Sequence, residues 1–191
     1  MIIHVVDLET TSLEGAPVGK VVEVGIVAVD TVAKTVTPVY DSLVGHPAAL
    51  VPRDAWIFTH EGATLTPEDV IAAPDQSKII SDVRKILYLQ PATSFNVPFD
   101  FGRFLSREPW SVKASICADI MVAAGKIVPY GSRFGPRLDN AYRTLCPEDP
   151  AGINGPEHHR ALDDAAMAAF VMLALMERRV YYPSISDPEE E

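Results

Sequence analysis

Apolar residues in the first quarter of the chain follow the pattern of buried strands. Residues 2–7 are mostly β-branched and apolar, which predicts a central strand covered on both faces. Residues 21–29 repeat this character, and residues 35–43 predict a third strand. The connections between these segments are short. Because short connections join antiparallel strands, we expect the three strands to form a meander.

Helical spacing of apolar residues appears further along the chain. Residues 75–89 place apolar side chains three and four positions apart, and the alanine-rich residues 161–179 do the same. Thr66 followed by Pro67 is typical of a capped helix start. The remaining predicted elements are strands at 92–95 and 111–117, a helix that begins at Pro98, and short helices near 118–125 and 138–146. This order of elements indicates a mixed α/β sheet with helices packed on its faces.

Composition and charge narrow the class of protein. The 191 residues predict a single domain at 1–182 and a disordered acidic tail at 183–191. The formal net charge of −10 disfavours binding to nucleic acid or anionic membrane unless the local field is reversed. The chain has no apolar run of about 18 residues, and its first seven residues lack the basic start of a signal peptide. Two cysteines, Cys117 and Cys146, predict reduced thiols in a cytoplasmic protein.

Two acidic residues stand near the end of the first predicted strand. Asp7 ends that strand, and Glu9 follows two positions later. Because side chains at i and i+2 of an extended chain point to the same side, both carboxylates can face one spot. Two like charges held there would repel each other strongly without a cation between them. Alternatively, Asp7 caps a turn and Glu9 is solvated.

Two further acidic residues lie at predicted helix starts. Asp100 falls in the first turn of the helix that begins at Pro98, where the helix dipole favours a negative charge, and this alone could explain it. Asp164 lies at the start of the last helix, five residues after His159. At about 100° per residue the two would not share a helix face, so they converge only if His159 lies in the preceding loop. Taken alone, His159 could equally be a surface or capping histidine.

Together these residues resemble the DEDD-type, or DnaQ-like, 3′–5′ exonucleases. The family motif Asp-x-Glu-Thr is matched by residues 7–10, Asn-x-x-Phe-Asp by residues 96–100, and His-x-Ala-x-x-Asp-Ala by residues 159–165. The resemblance covers roughly residues 2–177. A histidine five positions before the last aspartate marks the branch with a histidine base. Within the family the chain is most similar to exonuclease X-like proteins, whose proline and histidine-glycine stretch is matched by residues 50–74 with one residue more.

The resemblance implies a fold and a metal site. The fold is the ribonuclease H-like mixed sheet of five strands, three antiparallel and then two parallel, flanked by helices. Two divalent cations, Mg²⁺ or Mn²⁺, would be held by four carboxylates: Asp7, Glu9, Asp100 and Asp164. His159 would act as the general base that takes a proton from the attacking water. Asp163 and His158 adjoin this set, but the first is predicted to be solvated and the second does not fit the motif.

The resemblance also implies contacts to the substrate. The main chain near Glu9 and Thr10 would meet the terminal 3′-hydroxyl, and Leu13 would wedge beside the terminal base. Asn96 would position Asp100 or cap its helix. Hydrolysis of the last phosphodiester would then release a nucleoside 5′-monophosphate.

Several alternatives stay open for substrate and partner. The main interpretation is action on 3′ ends of single-stranded or frayed DNA, and the first alternative is the same chemistry on RNA or short oligoribonucleotides. A proofreading or interaction subunit docked on a DNA polymerase, or a homodimer, is also compatible with the sequence, whereas no membrane partner is expected. A modest basic funnel, meaning a group of basic side chains that attracts the substrate, could offset the negative net charge locally. Its members would be Lys126, Arg133, Arg137, Arg143 and Arg160.

Overall fold

A computed structural model describes residues 1–153 and 159–183 of the chain. Within this part, a five-stranded sheet forms the centre of the fold. Its strands are β1 (Ile2–Thr10), β2 (Val21–Asp30), β3 (Thr35–Leu43), β4 (Pro91–Ser94) and β5 (Ser115–Ile116). The spatial order is β3-β2-β1-β4-β5, in which the first three strands pair antiparallel and β1, β4 and β5 pair parallel. The predicted meander and the predicted mixed sheet are therefore confirmed.

Seven α-helices, one 3₁₀ turn and one π-helix surround the sheet in the described residues. The α-helices are α1 (Trp56–Thr59), α2 (Pro67–Ala72), α3 (Gln76–Leu87), α4 (Val97–Phe99), α5 (Ile120–Ala124), α6 (Leu138–Leu145) and α7 (Ala161–Glu177). A 3₁₀ turn spans Ala48–Leu50, and a short π-helix at Asp100–Leu105 follows α4 directly. Thr66 caps α2 in a reciprocal capping box with Asp69, as its sequence indicates.

Three predicted boundaries are wrong for identifiable reasons. The first strand does not end at Asp7, because β2 continues to pair with it as far as Thr10. The helix after β4 begins one residue before Pro98, since Asn96 caps it and Val97 takes the first position. The edge strand predicted at 111–117 is reduced to two residues, because its pairing with β4 covers only Ser115 and Ile116.

The two faces of the sheet bury different sets of helices. On one face, Ile3 and Val5 of β1 pack with α5, α6 and α7. On the other face, Val6 and Leu8 pack with α3 and with the π-helix. The alternation of side chains along β1 therefore puts Asp7 and Glu9 on the same face as α7.

A glycine in β2 sets the distance between the sheet and the start of α7. Gly25 pairs with Asp7 across the two strands. A Cβ atom at Gly25 would lie only 2.2 Å from the carbonyl carbon of Ala161, so this position has room for no side chain. The close contact holds the first turn of α7, which carries Asp164, directly over the strand position beside Asp7.

Further predictions concern the cysteines, membrane-spanning helices and the end of the chain. Cys117 and Cys146 are both buried free thiols. None of the helices in residues 1–153 and 159–183 is long and apolar enough to span a bilayer. The predicted tail after residue 183 and the predicted decoy His158 lie outside the described residues. The domain limits 1–182 and the cytoplasmic location stay predictions.

Candidate active site

β1 and the start of α7 bring three chemically active side chains together. Ligand atoms of Glu9, His159 and Asp164 all lie within 4.8 Å of one another. Glu9 and Asp164 are only 8% and 5% exposed. His159 precedes α7 and adopts a left-handed backbone conformation with φ of 47°, which turns the chain into the helix. His159 and Asp164 therefore converge in the predicted way, because His159 lies in the loop before α7 and Asp164 lies in the first turn of α7.

Asp7 lies beside this cluster on the same strand face as Glu9. It is half-buried and pairs with Gly25, over which the first turn of α7 is packed. Asp163, the neighbour of Asp164, is more exposed than Asp164 but only partly so, and it was predicted to be solvated. Among the described residues, the group of ligand atoms within 4.8 Å contains Glu9 but not Asp7.

Asp100 follows β4, the strand that pairs with β1, and so belongs to the same carboxyl-terminal end of the central strands. It lies at the start of the π-helix and is buried. Burial raises its pKa to about 7; the negative charge of Asp119 adds to the rise, and the Ser94 hydroxyl opposes it. Ser94 pairs with Val6, one residue before Asp7. Asp100 therefore follows the strand that pairs with β1 one residue before Asp7, but it is outside the 4.8 Å group.

Asp119 is a second acidic residue at this edge that the sequence analysis missed. It caps α5 by accepting a hydrogen bond from the Val122 amide at 2.7 Å, and it also accepts one from the Val97 amide at 2.8 Å. Burial raises the pKa of its carboxyl group. Asp119 thereby fixes the first residue of α4, the helix that leads directly to Asp100. An aspartate directly before an apolar helix is the pattern of an N-cap, and that pattern could have identified it.

A buried ion pair fixes the residues next to His159. Glu23 is 1% exposed and accepts hydrogen bonds from Arg160 Nε at 2.8 Å and Nη2 at 2.6 Å, and from the Ala161 amide at 3.2 Å. The bond to Glu23 raises the pKa of Arg160. The charge of Arg160 is thus offset by Glu23, so Arg160 can add little positive field to the predicted basic funnel. A glutamate inside an otherwise apolar strand was the signal for this pair.

The predicted funnel is also weakened at α6. The guanidinium groups of Arg137 and Arg143 both lie near the carboxylate of Asp139, at 3.3 Å and 3.6 Å. These two cations are therefore partly neutralised. Lys126 and Arg133 are the other members, and both are exposed.

An aromatic cluster borders His159 on the side of α1. Trp56 stacks on His60 with ring centroids 4.2 Å apart. Both rings meet His159 edge-on, at centroid distances of 5.0 Å and 4.9 Å. Trp56 is nevertheless 60% exposed. His60 belongs to the stretch matched by residues 50–74, whereas sequence reasoning missed Trp56, whose position in a proline-rich loop offered no periodic signal.

The predicted substrate-binding residues lie around the end of β1 and the start of α4. Thr10 ends β1 and donates its hydroxyl to the Ser12 carbonyl at 3.2 Å. Leu13 is 72% exposed, and Arg103 donates to its carbonyl. Asn96 accepts a hydrogen bond from the Phe99 amide at 3.3 Å, so it acts as the cap of α4. A cleft of about 580 Å³ continues from this region, between residues 11–20 and 49–55.

The order and directions of the five strands are those of the ribonuclease H-like mixed sheet that the sequence predicts. The chain's neighbours among solved structures are 3′-exonucleases. The nuclease domain of 3′hExo, a DEDDh family member bound to rAMP, superposes with a TM-score of 0.63 at 19% identity, covering 97% of this chain and 96% of that one. A 3′-exonuclease recognising a histone mRNA stem-loop gives 0.65 at 19% identity, covering 96% and 84%.

Exonuclease I of E. coli in complex with a dA16 oligonucleotide is a further neighbour. Its TM-score is 0.62 at 15% identity, over 94% of this chain and 42% of that one. The chain also spans 62% of the length of a full-length 3′-exonuclease that it matches. No protein-family model and no curated protein matches the sequence. At these identities the likeness establishes the fold.

Proposed function

We propose that this protein is a metal-dependent 3′–5′ exonuclease that releases nucleoside 5′-monophosphates from the 3′ end of a nucleic acid. The observation that carries the proposal is the convergence of Glu9, His159 and Asp164 within 4.8 Å. On the same fold, the named neighbours are 3′-exonucleases. Two buried carboxylates beside a histidine are the groups that metal-assisted hydrolysis of a phosphodiester needs.

The ligand set suits hard divalent cations. Carboxylate oxygens are the ligands that Mg²⁺ and Mn²⁺ prefer, and buried carboxylates close to one another need a cation to offset their repulsion. Asp7, Glu9 and Asp164 would hold one ion, and Asp7 with Asp100 would hold the second. When bound, two such ions lower the pKa of an attacking water and neutralise charge on the phosphate.

His159 would serve as the general base. Histidine is suited to this role because it exchanges protons near neutral pH. The edge contacts to Trp56 and His60 restrict its ring. The Glu23–Arg160 pair, on the residue directly after it, restricts its backbone. A base held in this way can accept a proton from a water beside Glu9 and Asp164 without first reorienting.

The 3′ end of the nucleic-acid substrate would bind between β1 and α1. The main chain at Glu9 and Thr10 would meet the 3′-hydroxyl, the exposed Leu13 would contact the terminal base, and Asn96 would keep Asp100 in place through the cap of α4. The adjoining cleft of about 580 Å³ is large enough for a nucleotide.

Single-stranded or frayed DNA is the substrate we propose first, and RNA is the second candidate. The neighbours support both, because one is a complex with a dA16 oligonucleotide and another recognises an mRNA stem-loop. The sugar preference is therefore the first thing to measure. Docking on a DNA polymerase and formation of a homodimer stay proposals that rest on the sequence alone.

A digestion assay tests the proposal. DNA and RNA oligomers labelled at the 5′ end are incubated with the protein and Mg²⁺ or Mn²⁺, and we expect shortening from the 3′ end with mononucleotide products. Asp164→Asn should abolish shortening, whereas Asp163→Asn, its more exposed neighbour, should retain it. If neither polymer is shortened with either metal, or if Asp164→Asn remains fully active, the proposed function is wrong.

A further inference from the structure

Residues 120–138 are the longest stretch of the sequence without an acidic side chain. They carry three basic residues in a chain whose net charge is −10: Lys126, Arg133 and Arg137, of which Arg137 pairs with Asp139. The stretch comprises α5 and the loop that leads to α6. A local reversal of the field in a strongly acidic protein marks a surface that can meet a polyanion.

A tight turn in this loop holds an aromatic ring in solvent. The Ser132 amide and hydroxyl both donate to the Gly135 carbonyl, at 3.1 Å and 3.0 Å, and the Phe134 amide donates to the Ser132 hydroxyl at 3.1 Å. Phe134 is 70% exposed, and the guanidinium of Arg133 lies 4.6 Å from the centre of its ring. These bonds fix an apolar ring outside the core, where it is available to a partner.

The turn is anchored to the segment that carries the proposed metal ligand Asp100. Gly135 packs on Met121, since a Cβ atom at Gly135 would lie 3.1 Å from the Met121 Cγ. The Met121 amide donates to the Phe95 carbonyl at 2.9 Å, next to Asn96. The exposed ring is therefore tied through α5 to the β4 side of the candidate active site.

We propose that the Ser132–Gly135 turn binds the single strand upstream of its 3′ end. An unpaired base stacks on the free face of Phe134, and Arg133 contacts a backbone phosphate. Stacking of bases on aromatic rings together with cationic contacts to phosphates is how proteins hold single strands without reading their sequence. A duplex does not fit, because its bases are stacked on one another. This inference rests on the proposed exonuclease function, and it adds a second point of contact between the protein and the single strand, away from the 3′ end.

Comparison of two substrates separates this surface from the catalytic groups. The first substrate is an oligothymidylate of about 12 nucleotides, a length that single-stranded binding sites cover. The second is the p-nitrophenyl ester of thymidine 5′-monophosphate, which has no upstream nucleotides. For the double variant Arg133→Ala and Phe134→Ala we expect kcat/KM on the oligomer to fall about tenfold, chiefly through KM. Hydrolysis of the ester should stay unchanged.

A matched control is available at the opposite end of the sheet. Tyr88, 59% exposed, follows directly after α3 as its C-cap and precedes β4, and Lys85 lies one turn before it. The double variant Lys85→Ala and Tyr88→Ala removes the same charge and a similar ring, and it should behave as wild type on both substrates. Equal losses on oligomer and ester in the Arg133 and Phe134 variant, or no loss on either, would overturn the inference.

Salt dependence of binding distinguishes the two side chains and does not need activity. Anisotropy of a labelled oligothymidylate reports affinity for the wild type and each single variant over a series of salt concentrations. Arg133→Ala should reduce the slope of log affinity against log salt by about 0.7, the contribution of one phosphate contact on a single strand. Phe134→Ala should weaken binding and keep the slope. If the wild type hydrolyses neither substrate but these binding effects appear, the proposed function fails and this surface stands; unchanged slopes and affinities overturn the surface.

Discussion

At the scale of single residues, the Glu23–Arg160 pair makes an asymmetric prediction about stability. The Glu23 side chain is 1% exposed, whereas that of Arg160 is 39% exposed. Removing the arginine leaves a buried carboxylate without its cation, and removing the glutamate leaves a guanidinium that can turn to water. We expect Arg160→Ala to lower the free energy of unfolding by about 3–5 kcal/mol, and Glu23→Gln to lower it by less because the amide oxygen can still accept.

Urea denaturation with the far-UV signal measures these changes. Arg143→Ala serves as the control, because its guanidinium is 63% exposed and lies 3.6 Å from Asp139. Exposed pairs of that kind contribute less than about 1 kcal/mol. If Arg160→Ala is no more destabilising than Arg143→Ala, the buried pair is not what fixes the start of α7.

Asp100 gives the metal-free protein a dependence of stability on pH. Its pKa rises from 3.8 to about 7 on folding, so the folded state holds the proton more tightly than the unfolded state. Stability from this group is complete below the unfolded value and is lost as the pH rises through about 7. In EDTA, therefore, the contribution of Asp100 to the free energy of unfolding should decline between about pH 4 and pH 7.

The Asp100→Asn variant isolates this contribution. It removes the buried charge, so it should be more stable than wild type at pH 8 in EDTA, and its advantage over wild type should grow as the pH rises from about 4 to about 7. Urea denaturation over a pH series gives both quantities. A variant with the same slope as wild type would show that burial of Asp100 does not set the pH dependence.

Trp56 offers a fluorescent report on the site. It is 60% exposed beside His159, whereas Trp110, the other tryptophan, is 1% exposed in the core. A nucleotide bound next to His159 should therefore quench Trp56 and leave Trp110 unchanged. Titration with thymidine 5′-monophosphate and Ca²⁺ should quench the wild type but not Trp56→Phe. Equal quenching in both proteins would mean that the nucleotide binds elsewhere.

At the scale of elements, Gly25 controls how α7 sits on the sheet. Gly25→Ala would bring a Cβ atom to 2.2 Å from the Ala161 backbone, which can move only with the helix. We expect a loss of about 3 kcal/mol in unfolding free energy. Because Asp164 and His159 move with the start of α7, exonuclease activity should fall as well.

Gly102→Ala is the matched control for this change. A Cβ atom there would lie 4.0 Å from its nearest contact, the Val97 carbonyl, so there is room for it. Thermal unfolding and the digestion assay compare the two variants. If Gly25→Ala keeps wild-type stability and activity, the close packing of α7 on β2 does not position the site.

Elements with strong local signals could be predicted from the sequence, and those set by pairing could not. β3 was predicted at the residues it occupies, and α7 begins at the predicted Ala161, because alternation and helical spacing are local properties. β1 extends past Asp7 and β5 shrinks to two residues because partner strands decide where pairing stops.

The candidate site divides in the same way. The motif residues Glu9, His159 and Asp164 were predicted together, and the structure brings them within 4.8 Å. The partners that hold them were missed, because Glu23 and Arg160 are 137 positions apart in the chain. Contacts of that separation exist only once the sheet and α7 are packed, so spacing along the sequence cannot reveal them.

At the scale of the whole molecule, charge couples metal binding to nucleic-acid binding. The net charge of −10 includes four acidic residues after position 186 and four in the candidate site. Two divalent cations would cancel the four site charges. We therefore expect weak binding of oligonucleotides in EDTA and markedly tighter binding with Ca²⁺, an ion of the same charge that also takes oxygen ligands.

Glu9→Gln tests this coupling, because it removes one proposed ligand and should reduce the metal-dependent gain in affinity. Asp163→Asn changes the net charge by the same amount outside the proposed ligand set, so its gain should match that of the wild type. Anisotropy of labelled single strands in EDTA and in Ca²⁺ measures the gain for each protein. An equal gain in Glu9→Gln and Asp163→Asn would mean that net charge alone governs the affinity. Tight binding of long DNA by the wild type in EDTA would contradict the coupling itself, since the few cations of residues 120–138 offer too few phosphate contacts for tight binding without the metal ions.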